Sequence, residues 1–253
     1  MPDVSIELFV AGAGPAYTDR LGATGAAYLV RSGSTTILLD LGQGSFPRLA
    51  AEVDPTKLDA ILISHLHPDH FVDLVALRHY LRYGIATPGR MRVMAPAGLA
   101  GRLDALHAEP GFTAVALDCT DLAEGTLAIG ELSLEARLVT HTAESYAFRV
   151  ARPDAANGLV YSGDCGRAAD MAPLIRPGDT LLSEVSFGPG PVPPGAQHLD
   201  GPAVGELAAT TGADQVLLTH LQMGFDRDAT IASVRDRFHG PIRMVDPGDR
   251  IEL

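Results

Sequence analysis

Residues 64 to 70 read Ser-His-Leu-His-Pro-Asp-His and place His65, His67, Asp69 and His70 within six positions. Imidazole and carboxylate groups together suit a borderline divalent metal such as zinc. Four of them cannot all reach one ion from so short a stretch unless the backbone turns sharply. Divided between two ions, they fit easily. An extended segment would put His65 and His67 on one side, and a turn at Pro68 would send Asp69 and His70 toward a second ion. Two ions need further ligands. His141 follows Leu138-Val139-Thr140, Asp164 sits in Tyr161-Ser162-Gly163-Asp164, and His220 follows Val216-Leu217-Leu218-Thr219. All three come after apolar, strand-like runs. His198 lies just beyond Gly188 to Gly195, where seven of eight residues are Pro or Gly. That loop is either a plain connector or a semi-rigid rim that aims His198.

The elements that must position these groups are legible in the apolar pattern. Ala60-Ile61-Leu62-Ile63, just before the heptad, reads as a buried strand. The ligand candidates therefore sit where a rigid strand gives way to a loop. Val4 to Val10 alternates as a half-buried strand does. Ala26 to Val30 and Thr36 to Leu39 form a predicted hairpin that ends at Asp40, ahead of Gly42-Gln43-Gly44. Further strands are predicted over Met91–Ala95, Glu131–Val139, Tyr146–Val150, Leu159–Ser162 and Thr180–Ser183. Helices are predicted over Phe46–Val53, Val72–Tyr83, Pro202–Thr211 and Ala229–Phe238. This order fits two sheets covered by helices better than a plain doubly wound sheet. Residues 59–66 (Asp-Ala-Ile-Leu-Ile-Ser-His-Leu) also align with residues 214–221 (Asp-Gln-Val-Leu-Leu-Thr-His-Leu), an offset of 220 minus 65, or 155. Either two half-structures deliver His65 and His220 from equivalent strand ends, or two buried strands are alike by chance.

Composition narrows the classes. A chain of 253 residues, 46% hydrophobic, holds one large domain or two small ones. With no low-complexity break, one domain over residues 1–253 is expected. No apolar run approaches a membrane span, and Met1-Pro2-Asp3-Val4 lacks a basic leader, so a cytoplasmic protein without membrane association is expected. Cys119 and Cys165 give no disulfide framework. The net charge of −12 argues against an extended nucleic-acid surface. A small anionic substrate remains compatible, because a metal centre supplies local positive charge.

Taken together, the motifs resemble the metallo-β-lactamase superfamily over nearly the whole chain. They are Asp40 with Gly42 and Gly44, His65-x-His67-x-Asp69-His70, His141, Ser162-Gly163-Asp164 and Thr219-His220. The resemblance implies an α/β four-layer αββα sandwich with a two-metal site at one edge. It assigns His65, His67 and His141 to the first metal and Asp69, His70 and His220 to the second, with Asp164 bridging. The ions implied are two divalent metals, zinc first, with manganese or iron as alternatives. His141-Thr-Ala-Glu-Ser-Tyr-Ala-Phe-Arg149 resembles the ribonuclease Z-like branch, and within it small bacterial members similar to atypical cyclic-nucleotide phosphodiesterases. The tRNA-processing members carry a long arm between the third His and the bridging Asp. Here that interval is 164 minus 141, or 23 positions, too short for the arm beside two strands. Cys165 departs from the Thr often found after the Asp.

The resemblance also suggests that Asp69 orients or deprotonates the nucleophile. His198 is then the candidate general acid for the leaving oxygen, with Glu184 as its orienting carboxylate. Asp40 is expected behind a ligand imidazole rather than on a metal, or else as a turn residue. Gly42 and Gly44 allow close backbone approach or positive φ. His79, His107 and His239 are expected to be structural, and Cys165 to pack. The leading expectation is a phosphodiesterase for small phosphodiesters such as cyclic nucleotides. The alternatives are a tRNA 3′-processing endonuclease, a hydrolase of a lactone, β-lactam or thioester, and a non-catalytic metal-binding protein. Members of the branch it resembles are often dimers, so the resemblance is compatible with a homodimer.

Overall fold

Alternation of buried side chains builds two sheets into one stack of layers. The computed structural model describes residues 5–86 and 89–253. Its first sheet runs in the order β14 (Arg250–Glu252), β1 (Glu7–Gly12), β2 (Ala27–Ser32), β3 (Thr35–Leu39), β4 (Ala60–Leu62), β5 (Met91–Ala95) and β6 (Leu117–Asp121). The second runs β13 (Ile242–Met244), β12 (Gln215–Thr219), β11 (Thr180–Glu184), β10 (Gly158–Tyr161), β9 (Tyr146–Ala151), β8 (Leu132–Leu138) and β7 (Gly125–Ile129).

Successive strand residues point to opposite faces. Leu8, Val10, Tyr28, Val30, Ile37, Leu39 and Leu62 meet Phe148, Val150, Leu159, Tyr161, Leu182 and Leu217 in a core between the sheets. The intervening residues Phe9, Leu29, Leu38 and Ile61 face outward. There they pack under α1 (Phe46–Glu52), α2 (Pro68–Phe71), α3 (Leu74–His79) and α4 (Leu99–His107). Ala147, Val160, Leu181, Val216 and Leu218 do the same under α5 (Ala168–Met171), α6 (Gly201–Thr211) and α7 (Arg227–Arg235). The result is the expected αββα sandwich. Because the central strands are buried on both faces, they read as continuous apolar runs. No helix among the described residues is long and apolar enough to cross a membrane.

Three expectations change. The helix predicted over Val72–Tyr83 is broken into α2, α3 and a π-turn at Tyr80–Gly84. Asp73 causes the first break: its backbone N–H donates to Leu41 O at 3.1 Å, and its carboxylate accepts from Phe46 N at 2.8 Å. The helix α4 and the strands β6, β7, β13 and β14 carry weak or short apolar patterns and stood outside the predicted set. The strand predicted from Val4 begins at Glu7, and Val4 itself lies outside the described residues.

A further correction concerns the internal similarity. From β1 to β6 the pairings run antiparallel twice and then parallel three times, and from β8 to β13 they repeat that order. The counterpart of β4 is therefore β11, and β12 corresponds to β5. His65 and His220 are not equivalent; two buried parallel strands merely look alike. In the observed correspondence Asp40 matches Ser162 and Ser64 matches Glu184. Ser64 N donates to Asp40 Oδ1 at 2.6 Å, and Glu184 N donates to Ser162 Oγ at 2.9 Å.

Candidate metal centre

The strand ends of both sheets converge on one edge of the sandwich. β4 delivers His65, the turn into α2 delivers His67, Asp69 and His70, and the segments after β8, β10 and β12 deliver His141, Asp164 and His220. The heptad is stapled to the chain just before β2 and just after β3. Leu41 N donates to His70 O at 2.7 Å and Ala26 N to Asp69 O at 3.0 Å. A Cβ at Gly42 would overlap the Asp69 carbonyl, so glycine there allows the close approach. His220 holds a left-handed φ of 58° and donates its N–H to Ala13 O at 3.0 Å.

Hydrogen bonds to Nδ1 turn four imidazoles the same way. His70 Nδ1 donates to Asp40 Oδ2 at 2.7 Å, which also accepts from Tyr161 OH at 2.7 Å and Ser64 Oγ at 2.7 Å. With its proton given to Asp40, Ser64 Oγ accepts from His65 Nδ1 at 3.1 Å. His141 Nδ1 donates to Gln197 O at 2.7 Å, and His220 Nδ1 to Ser186 Oγ at 3.0 Å. Each ring thus has its Nε2 lone pair facing the centre.

The facing atoms form two sets that share Asp164. Asp164 Oδ2 lies 3.7 Å from His65 Nε2 and 3.7 Å from His141 Nε2, which is 3.1 Å from His67 Nδ1. Asp164 Oδ1 lies 3.4 Å from His70 Nε2 and 3.5 Å from His220 Nε2, which is 3.2 Å from Asp69 Oδ2. Tetrahedral ligands at ~2.0–2.1 Å from zinc stand roughly 3.3 Å apart, close to these separations. Buried His65 Nε2, in the first set, and Asp164 Oδ1, in the second, have no hydrogen-bond partner, a costly arrangement unless a cation sits against each. These residues could hold one divalent ion in each set. The structure brings together His65, His67, His141 and Asp164 in one group, Asp69, His70, Asp164 and His220 in a second, and Glu184, His198 and His220 in a third.

The electrostatics carry the same demand for positive charge. Burial pushes His65 well below the usual imidazole range and lowers His67 and His141. Burial also opposes protonation of His70, but Asp164 and Asp40 outweigh it and raise that ring well above the range. His220 is raised likewise, by Asp164 and its bond to Asp69 against burial. Burial opposes ionisation of Asp164, yet the His220 and His70 charges hold its carboxyl well below the carboxylate range.

Glu184 and His198 stand beside the second set. Buried Glu184 Oε1 accepts from His198 Nδ1 at 2.9 Å and from Cys165 N at 2.9 Å. Its Oε2 accepts from Ser186 N at 3.0 Å and Ser186 Oγ at 2.5 Å. Burial disfavours the His198 cation, but the Glu184 bond and charge prevail and raise its pKa. With Nδ1 engaged, Nε2 is left for a cleft of about 280 Å³ that His198 lines together with His67, Asp69, Asp164, His220 and Tyr17. The loop from Gly188 to Gly195 leads directly into Gln197, whose carbonyl holds His141, and into His198.

The remaining candidates fall elsewhere. His79 Nδ1 donates to Val75 O at 2.7 Å, His107 stacks on Phe112, and His239 is exposed. Cys165 is packed among Val160, Met171 and Val185. Ser64, Ser186, Tyr161 and the Gln197 carbonyl escaped the sequence reading. Ser64 beside His65 and Tyr161 in the Tyr161-Ser162-Gly163-Asp164 run carried a signal; Ser186 and Gln197 carried none.

A family model described as Beta-lactamase superfamily domain matches residues 35–221. The uncharacterized protein ML1173 of Mycobacterium leprae (strain TN) is 32% identical over 237 residues, covering 90% of this chain and 82% of that protein. The probable metallo-hydrolase YhfI of Bacillus subtilis (strain 168) is 24% identical over 223 residues, covering 88% and 90%. The crystal structure of YhfI superposes with a TM-score of 0.87 at 22% identity, covering 99% of this chain and 100% of that one. Human tRNase Z, short form, gives 0.72 at 17% identity, covering 97% and 98%. A diphosphatase from the PhnP family gives 0.72 at 16% identity, covering 98% of each chain. At such identities the structures speak for the fold, while the family model and the mycobacterial relative speak for descent. The chain belongs to the β-lactamase superfamily of metallo-hydrolases.

Proposed function

We propose that the protein is a two-metal hydrolase of small phosphodiesters, with cyclic nucleotides the best-fitting class and zinc the first candidate for both ions. The observation that carries this reading is His198 on the cleft wall beside the second ligand set, with buried Glu184 bonded to its Nδ1. His65, His67, His141, Asp69, His70, His220 and Asp164 would hold two divalent ions there, which would supply an acidified water and positive charge against a phosphoryl oxygen. Asp69, on the cleft wall and 3.2 Å from His220, orients the attacking water and takes its proton. The water oxygen bonds to phosphorus as the ester P–O bond breaks opposite. A departing alkoxide needs a proton, and His198 Nε2 provides it while Glu184 keeps Nδ1 engaged. A carbonyl substrate with a good leaving group makes no such demand.

Size is supported by the chain between His141 and Asp164, which is taken up by β9 and β10, and by the net charge of −12. The decisive experiment compares metal-loaded protein on 2′,3′- and 3′,5′-cyclic nucleotides, precursor tRNA, nitrocefin and a homoserine lactone. Cyclic nucleotides should be turned over fastest; preference for the tRNA or for either carbonyl substrate defeats the reading. His198→Ala should slow an alkyl-leaving phosphodiester about 10²–10⁴-fold and an activated aryl ester far less. Equal losses on both would remove His198 from the acid role.

A further inference from the structure

The cleft has two kinds of wall. One is the metal-ligand face. The other is formed by Pro15, Ala16, Tyr17, Pro68 and Gln222, and no Lys or Arg lines the cleft among the described residues. A substrate phosphate would therefore owe its electrostatic attraction to the metal centre and to His198. An RNA backbone or a polyphosphate would call for further cations along the groove. What the cleft offers instead is an aromatic ring, Tyr17, that is 64% exposed.

The segment carrying Tyr17 is tied down on both sides. Gln43 Nε2 donates to Pro15 O at 3.1 Å and to Ala16 O at 3.4 Å. Arg20 donates from Nη1 to Leu221 O at 3.1 Å and from Nη2 to Phe225 O at 3.4 Å. Gly14 N donates to Thr24 O at 2.7 Å. The Arg20 bonds fasten the loop to the chain immediately after His220, so the ring is carried by the same framework as the second ligand set. A tyrosine on a pinned loop presents a flat face with few torsions left to freeze.

We propose that Tyr17 is the surface on which the substrate's planar base stacks, so that the preferred substrates are mononucleotide phosphodiesters rather than sugar or alkyl phosphodiesters. This rests on the phosphodiesterase reading above. Stacking on an aromatic face is tolerant of base identity, so the preference is for the presence of a base, not for one base.

The test uses metal-loaded protein, an adenosine cyclic phosphate in whichever ring form the wild type cleaves, and the matching methyl riboside cyclic phosphate, which lacks the base. Tyr17→Ala should raise KM for the adenosine ester about tenfold, leave kcat unchanged, and leave both constants for the methyl riboside unchanged. Tyr17→Phe should behave as wild type. The chain has no Trp, so its intrinsic emission comes from tyrosine. The adenosine ester should quench that emission in the wild type and much less in Tyr17→Ala. An unchanged KM in Tyr17→Ala, or an equal rise for both esters, overturns the assignment. Equal wild-type KM values for the two esters overturn it while leaving the phosphodiesterase reading in place. Turnover of neither ester in any ring form removes that reading and the assignment together.

Discussion

At the scale of single residues, the centre is governed less by its ligand candidates than by the groups behind them. Asp40 is the clearest case. It is fully buried, holds a left-handed φ of 61°, and gathers the Ser64 amide and hydroxyl, Tyr161 OH and His70 Nδ1. It thereby fixes the tautomer of His70 directly and that of His65 through Ser64. Asp40→Asn keeps the volume but weakens acceptance from His70. Metal affinity should fall about 10–100-fold, measured by competition with a chromophoric chelator on protein whose circular dichroism is unchanged. Wild-type affinity in Asp40→Asn would show that the tautomer is set elsewhere. Glu184 acts in the same manner on the other side, gathering His198 Nδ1 directly and reaching His220 through Ser186.

At the scale of elements, the second sheet depends on a buried ion pair remote from the centre. Arg149 on β9 makes a two-pronged contact with Asp179, from Nε at 2.7 Å and Nη2 at 2.8 Å, and Asp179 is fully buried in the turn before β11. Asp179 Oδ2 also accepts from Arg176 N at 2.8 Å. The pair locks the strand that follows the His141 segment to the strand that carries Glu184. Removing one partner strands the other charge in a site without water, which costs about 3–5 kcal/mol. Asp179→Ala should lower the denaturation midpoint by that energy divided by m, at constant m value. If Asp179→Ala does not fold, Asp179→Asn, which retains one acceptor, should fold with a smaller loss. Full wild-type stability in either variant would refute this account of the pair.

At the scale of the whole molecule, buried imidazoles and carboxylates from both halves of the chain crowd one edge, so ions bound there would link metal occupancy to folding. An ion present at a hundred times its Kd stabilises the folded state by about 2.7 kcal/mol. For a chain of this size that corresponds to roughly 5–10 °C in Tm. Chelation should lower Tm by at least that much, and reloading should restore it; an unchanged Tm would count against bound ions. The sequence by itself marked out the candidate donors, because the heptad is local and the three later candidates each follow an apolar strand. It also determined the layered fold, because strands buried on both faces leave unbroken apolar runs. Only the tertiary structure decided which half-strands correspond, since that follows from pairing order rather than from strand composition. Likewise, the break at Asp73 depends on the Leu41 carbonyl and the Phe46 amide, which no local helical pattern contains. The ring orientations depend on Asp40, Ser186 and the Gln197 carbonyl, partners 30, 34 and 56 positions away from the rings they hold. Hydrogen bonds between segments so distant leave no period or spacing in the chain, and they become visible only when packing brings the strand ends together.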